Sequence, residues 1–304
     1  MRTRIDRRIV SIVAVLLAAA ALPAAAQARK TERTVPLDPR GQVFVELFQG
    51  SVVAHGWTKD EVRVVASFTT PGAELTVDGS THEVSIEVED AHRAGPVAHA
   101  DLEIWMPVGA SFDGEGVKVD FAVDGLAGGD VEIEAVSGRV TVKGDVRVAR
   151  VEAVSGNIDV AGAIERVEAS SASGSLNIQG VRVEVSAESV SGSVEVRAGA
   201  PLREAALASV SGNVRFQGDL EPRGQLTAES VSGDIDITLP KSASATAHLE
   251  TFSGGLRIDA PGVDPRIGET DEPGPGRSAR FAIGSGSARI DLESFSGGIA
   301  LRAR

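Results

Sequence analysis

The chain has 304 residues, with 43 Asp and Glu against 30 Lys and Arg, a net charge of −13, no cysteine and no tyrosine. A disulfide framework and a lipid-modified cysteine are excluded, and so acidic a surface repels nucleic acid and anionic lipid headgroups. The length allows one large or two small domains.

Residues 1–28 read as a secretory signal peptide. Arg2, Arg4, Arg7 and Arg8 form a basic start, Ile9 to Leu22 an apolar run, and Ala26-Gln27-Ala28 a small-x-small cleavage site. No later apolar run reaches about 18 residues, so no transmembrane segment is expected in the mature chain. The mature protein is therefore expected to be exported from a bacterial cytoplasm, to the periplasm or the exterior.

Residues 29–40 are charged and contain proline, and read as a flexible lead. Residues 41–112 read as an irregular N-terminal β cap. Val62 to Ser67, Glu83 to Glu89 and Ala100 to Met106 alternate as strands, and Asp78-Gly79-Ser80 reads as a hairpin turn. Val45 to Gly56 resembles a first rung, with Gln49-Gly50 in place of Ser-Gly. Glu115-Gly116 reads as a second degenerate corner.

Residues 113–304 are organised by one tripeptide. Its serine and glycine recur as Ser137-Gly138, Ser155-Gly156, Ser173-Gly174, Ser191-Gly192, Ser211-Gly212, Ser232-Gly233, Ser253-Gly254 and Ser296-Gly297. The preceding residue is Val, except for Ala172, Phe252 and Phe295. The serines are 18, 18, 18, 20, 21, 21 and 43 residues apart. A period near 20 marks a stacked repeat.

Three and five residues after each serine the chain is apolar in every copy, from Val140 and Val142 to Ile299 and Leu301. Four and six residues before it, apolar residues such as Val167 and Ala169 recur, and the residue two before is small. Buried positions are thus even before the serine and odd after it. A straight strand cannot change parity, so the chain bends at Ser-Gly. Glycine fits a corner that demands positive φ or leaves no room for a Cβ. The serine hydroxyl is expected to bond to backbone or to the serine one rung away. One rung cannot bury its own apolar face, but stacked rungs can. The fold class is all-β, a parallel β-solenoid with rungs of about 18–21 residues. Residues 260–278, rich in Pro, Gly and acid, read as a loop excursion. Arg302 and Arg304 are expected to charge the final edge of the rod.

The residue three before the serine is acidic in six copies: Glu134, Glu152, Glu188, Glu229, Glu250 and Glu293. Stacking makes these a ladder, either a cation-binding stripe or an ordinary surface screened by Arg150, Arg166 and Arg197. The serines lack the base and orienting partner that a nucleophile needs. His82, His92 and His99 lack metal-ligand spacing. No enzyme, metal or cofactor is expected. A polysaccharide-processing β-helix enzyme using Glu152 and Glu188 is the first alternative. A self-assembling structural or stress-response protein is the second.

The leader, then Gly50…Gly56-Trp57, then Pro107-Val108-Gly109-Ala110-Ser111, then the Val-Ser-Gly rungs, resemble the bacterial "putative adhesin" family of unknown function over about residues 40–304. The resemblance implies an exported, cell-envelope β-solenoid without established catalysis. The expected function is a non-enzymatic adhesin-like scaffold that binds an envelope protein or polysaccharide. The oligomeric state stays open.

Overall fold

The computed structural model describes residues 29–70, 72–90, 98–263 and 276–304. The expected signal peptide lies outside them, as does most of the expected loop excursion. The described residues contain no helix.

The chain opens with β1 (Arg29–Pro36), β2 (Gln42–Trp57), β3 (Glu61–Phe68), β4 (Ala73–Gly79), β5 (Glu83–Asp90), β6 (His99–Pro107) and β7 (Ser111–Ala127). Two-stranded rungs follow. They are β8 (Asp130–Ser137) with β9 (Val140–Asp145), β10 (Val148–Ser155) with β11 (Ile158–Ala161), and β12 (Arg166–Ser173) with β13 (Leu176–Val181). Next come β14 (Glu184–Ser189) with β15 (Val194–Ala198), β16 (Leu202–Ser209) with β17 (Val214–Gln217), and β18 (Leu220–Ser230) with β19 (Ile235–Leu239). The chain closes with β20 (Ala245–Thr251), β21 (Leu256–Asp259), β22 (Arg277–Ile283), β23 (Ala288–Ser294) and β24 (Ile299–Ala303).

The protein is a parallel β-solenoid. First strands stack in register on first strands, so that Val151 lies between Ile133 and Ala169. Second strands do the same, with Ile158 between Val140 and Leu176. Val131, Ile133 and Ala135 before the corner, and Val140 and Val142 after it, are all buried. The parity change at Ser-Gly therefore keeps both strands facing one core. Val146, Ile164, Val181 and Leu202 plug the turns between rungs. Full burial of such a side chain contributes roughly 1.5–3 kcal/mol.

Three expectations fail. Residues 29–36 are not a flexible lead. They form β1, antiparallel to β3, with Glu32 bonded to Arg63 at 2.7 Å. A charged sequence suits a strand at a sheet edge, where one side faces water. The second degenerate corner is not Glu115-Gly116. Lys118 pairs with Ser137, and Glu115 pairs with Glu134, so the corner of β7 is Lys118-Val119. The reason is register: each ladder glutamate stands three positions before the corner residue of its rung.

The third failure concerns the end of the rod. β23 and β24 do not form the last rung. β23 lies between β18 and β20, and β24 between β19 and β21. Arg302 reaches Asp236 at 2.9 Å across this inserted rung, so it does not guard a free edge. The outer strand beside β20 is β22, which runs antiparallel. The other end is built alike. β2 lies between β7 on one side and β5 with β6 on the other, and antiparallel β1, β3 and β4 lie beyond. Antiparallel strands thus cap both columns at this end and the β20 column at the other, where β21 pairs only with β24 among the described residues, a device that blunts the pairing edge of a solenoid. The turn expected at Asp78-Gly79-Ser80 joins β4 to β5, where the Ser80 N–H donates to the Glu83 carbonyl at 2.7 Å.

Candidate functional site

The corner is built from the residue two before the serine. In six rungs this residue is a buried Ser or Thr: Ser171, Ser189, Ser209, Ser230, Thr251 and Ser294. The Ser189 hydroxyl accepts from the Gly192 N–H at 2.9 Å and donates to the Gly174 carbonyl one rung away, also at 2.9 Å. Ser209 makes the same pair of bonds with Gly212 and Gly192. Each corner is thereby tied to itself and to its neighbour. The serine of the tripeptide is more exposed. Its hydroxyl does not meet the next serine; Ser137 donates to the Val117 carbonyl at 3.0 Å, and Ser296 to that of Val231 at 3.1 Å.

The glycines are required by space. A Cβ on Gly192 would lie 1.8 Å from the Gly174 carbonyl oxygen. Positive φ is limited to two of the eight corners, Gly138 at 131° and Gly156 at 153°. In both rungs the residue two before the serine is alanine, Ala135 or Ala153.

Because even positions before the corner face the core, the residues one and three before the serine face outward together. The first column is an apolar stripe. In spatial order it runs Phe48, Val117, Val136, Val154, Ala172, Val190, Val210, Val231, Phe295 and Phe252. Apart from Val117 and Ala172, these side chains are 46% to 58% exposed. Phe252 and Phe295 stack with ring centroids 4.9 Å apart and planes within 6°. The second column is the glutamate ladder. Glu134, Glu152, Glu188, Glu229, Glu293 and Glu250 stand in it as expected from the sequence, joined by Glu46 and Glu115. Ser170 and Ala208 fill the remaining rungs.

The two columns and the small residues between them line a groove along the rod. One stretch of about 800 Å³ runs from Ala153 to Phe252 and Phe295. A second, of about 400 Å³, runs from Phe48 to Val154, which both stretches share. Eight glutamates line them, with no lysine, arginine or histidine. The arginines expected to screen the ladder are engaged elsewhere. Arg150 bridges Glu132 and Glu168 at 3.2 and 3.0 Å, Arg166 holds Glu184, and Arg197 holds Glu195. Among the described residues no ladder glutamate makes an ion pair or hydrogen bond with a side chain. The local field is felt at Asp113, just outside the groove. Partial burial pushes its carboxyl above the usual range, and Glu132, Glu115 and Glu134 add to the shift.

The histidines do not assemble. His82 lies 3.4 Å from Asp38, His248 lies 4.0 Å from Asp291, and His92 is outside the described residues. Among the described residues no group of His, Asp and Glu has metal-binding geometry. The apolar stripe was present in the sequence. Parity places the residue one before each serine outside, on the same face as the ladder, yet Val-Ser-Gly reads first as a corner marker.

An all-β rod of stacked rungs with one grooved face defines the class: a parallel β-solenoid with its corners in register. The family described as Toastrack DUF4097 matches residues 49–302, and the chain belongs to it. This agrees with the resemblance carried by Gly56-Trp57 and the Val-Ser-Gly rungs. Among solved structures, a "putative adhesin" from Parabacteroides merdae is 10% identical, covering 90% of this chain and 96% of its own, with a TM-score of 0.43. A "putative adhesin" from Bacteroides fragilis is 12% identical, covering 90% and 97%, with a TM-score of 0.42. A "putative lipid binding protein" from Parabacteroides distasonis is 11% identical, covering 90% and 96%, with a TM-score of 0.38. No curated protein matches the chain.

Proposed function

We propose that this protein is an exported, non-enzymatic binding scaffold of the bacterial cell envelope, whose recognition face is the groove along the corners. One observation carries the reading: an apolar stripe, mostly valine and phenylalanine about half exposed, runs unbroken by charge along the outward face of the corners. Contiguous apolar surface of this kind marks interaction sites. The rigid stacked backbone presents it without an ordering cost on binding. Export follows from the leader pattern of residues 1–28. An envelope protein or polysaccharide is the partner class, and the antiparallel strands at both ends favour a discrete rod over a filament.

The test is capture of solubilised envelope proteins and of a glycan array by residues 29–304. It is run beside a variant with Val190→Ser, Val210→Ser and Val231→Ser. Saturable binding by the parent chain, lost in the variant while its melting temperature holds, is the expected result. Binding that survives the triple change would remove the groove from the reading.

A further inference from the structure

The groove also specifies the chemistry of its occupant. The geometry points to a cationic, amphipathic peptide segment lying along the rod, its apolar side on the Val and Phe stripe and its lysines or arginines on the glutamates. This rests on the reading of the groove as the recognition face, and it adds what the groove selects.

Charge complementarity decides among occupants. The lining holds eight glutamates and no cation. A second copy of this chain would bring the same eight carboxylates into contact, where like charges repel. An anionic bilayer is disfavoured for the same reason. A neutral acyl chain would use the stripe and leave the carboxylates facing it without partners. A divalent cation would use the carboxylates and leave the stripe exposed. Only an occupant with apolar groups and positive charges in adjacent rows uses both columns. Ten stacked rungs span about 43 Å at ~4.8 Å per rung, the length of roughly 28 residues of helix. A peptide segment supplies both rows over that length.

One place in the groove is recessed. At Ser170 and Ala172 both columns lose their large side chains in the same rung, between Val154 and Val190. The recess would seat one bulky apolar side chain of the partner, the kind of anchor that dominates peptide recognition.

The probe is a labelled peptide of about 25 leucines and lysines, patterned to place the leucines on one helix face. Its binding to residues 29–304 is followed by fluorescence anisotropy at about 0.15 M salt. Glu152→Lys with Glu188→Lys is expected to weaken binding at least about tenfold. Ala172→Phe is expected to weaken it several-fold by filling the recess. Asp159→Lys with Glu195→Lys, an equal charge change on the second strands outside the groove, is expected to leave it within about twofold. Thermal melts confirm that each variant folds. Equal weakening by the Asp159 and Glu195 pair would mean that net charge alone attracts the peptide, and would overturn the inference. Equally tight binding of an oligolysine without leucine would overturn it too. A further arm measures sedimentation and binding to phosphatidylcholine vesicles. If self-association or vesicle binding is seen and is lost on Val190→Ser, Val210→Ser and Val231→Ser, while the peptide does not bind, this inference fails and the groove remains a recognition face. If the triple change alters no binding at all, both fail.

Discussion

The corners at Gly138 and Gly156 and those from Gly192 onward use the same tripeptide but fold differently. In the early pair, strand pairing continues to the serine, with Ser137 opposite Ser155 and Ser155 opposite Ser173. The glycine then takes positive φ, and its N–H donates to the next rung, Gly138 to Ser155 and Gly156 to Ser173, at 3.2 Å each. In the later corners pairing stops at the buried Ser or Thr, whose hydroxyl takes the glycine N–H instead. Ser171 marks the change: its hydroxyl faces the Gly156 carbonyl at 3.4 Å, and Gly174 no longer has positive φ. One hydroxyl two residues upstream therefore sets the path of the corner. Where alanine cannot supply the acceptor, the backbone must supply it, and only glycine tolerates the resulting conformation.

The two halves also differ in how their rungs depend on one another. From β7 to β19 the rungs stack in chain order, whereas the rung of β20 and β21 rests on β23 and β24. Deleting residues 288–304 should therefore expose β20 and β21 as well as remove the last strands. Hydrogen exchange should show loss of protection over residues 245–259, an effect larger than the loss of one rung. Protection retained there would contradict the inserted order.

Next in size are the corner glycines. Gly192→Val places a Cβ against the Gly174 carbonyl and is expected to cost on the order of 1–3 kcal/mol. Gly156→Val meets the Gly138 carbonyl at the same 1.8 Å and adds the positive-φ penalty, so it should melt lower still. Equal melting temperatures would erase the distinction between the corner types.

The hydroxyl gives a finer test. Ser189→Ala leaves the Gly192 N–H and the Gly174 carbonyl without their bonds and should cost roughly 1–3 kcal/mol in urea melts. Ala153→Ser should bring no matching gain, because the Gly156 N–H is already bonded to Ser173.

The smallest effect lies at the acidic end of the early half. Asp113 holds its proton more tightly folded than unfolded. Stability from this group is therefore present in acid and is lost as pH rises from the ordinary carboxylate range through the raised folded value. Asp113→Asn should raise the melting temperature slightly at pH 7, with no gain at about pH 3, where the carboxyl is already protonated. A gain of equal size at both pH values would assign the effect to packing.

Much of this molecule is legible in its residues. The 18–21-residue spacing, the apolar columns and the parity change at Ser-Gly determine a solenoid bent at its corners, because period-two burial admits no other way to keep both strands on one core. The glutamate ladder follows from the same counting, and so did the apolar stripe. Three features belong to the tertiary structure alone. The rung order at the end is one, since the columns at Ile235, Leu256 and Ile299 are interchangeable in shape and hydropathy and do not state which rung touches which. The choice of corner is the second: alanine against serine two before the tripeptide serine is visible in the chain, but which acceptor the glycine N–H then takes, a hydroxyl of its own rung or a carbonyl of the next, is decided by the stacking. The unscreened state of the groove is the third. Arg150, Arg166 and Arg197 are near the ladder in sequence, but strand alternation and rung register direct them to Glu132, Glu168, Glu184 and Glu195.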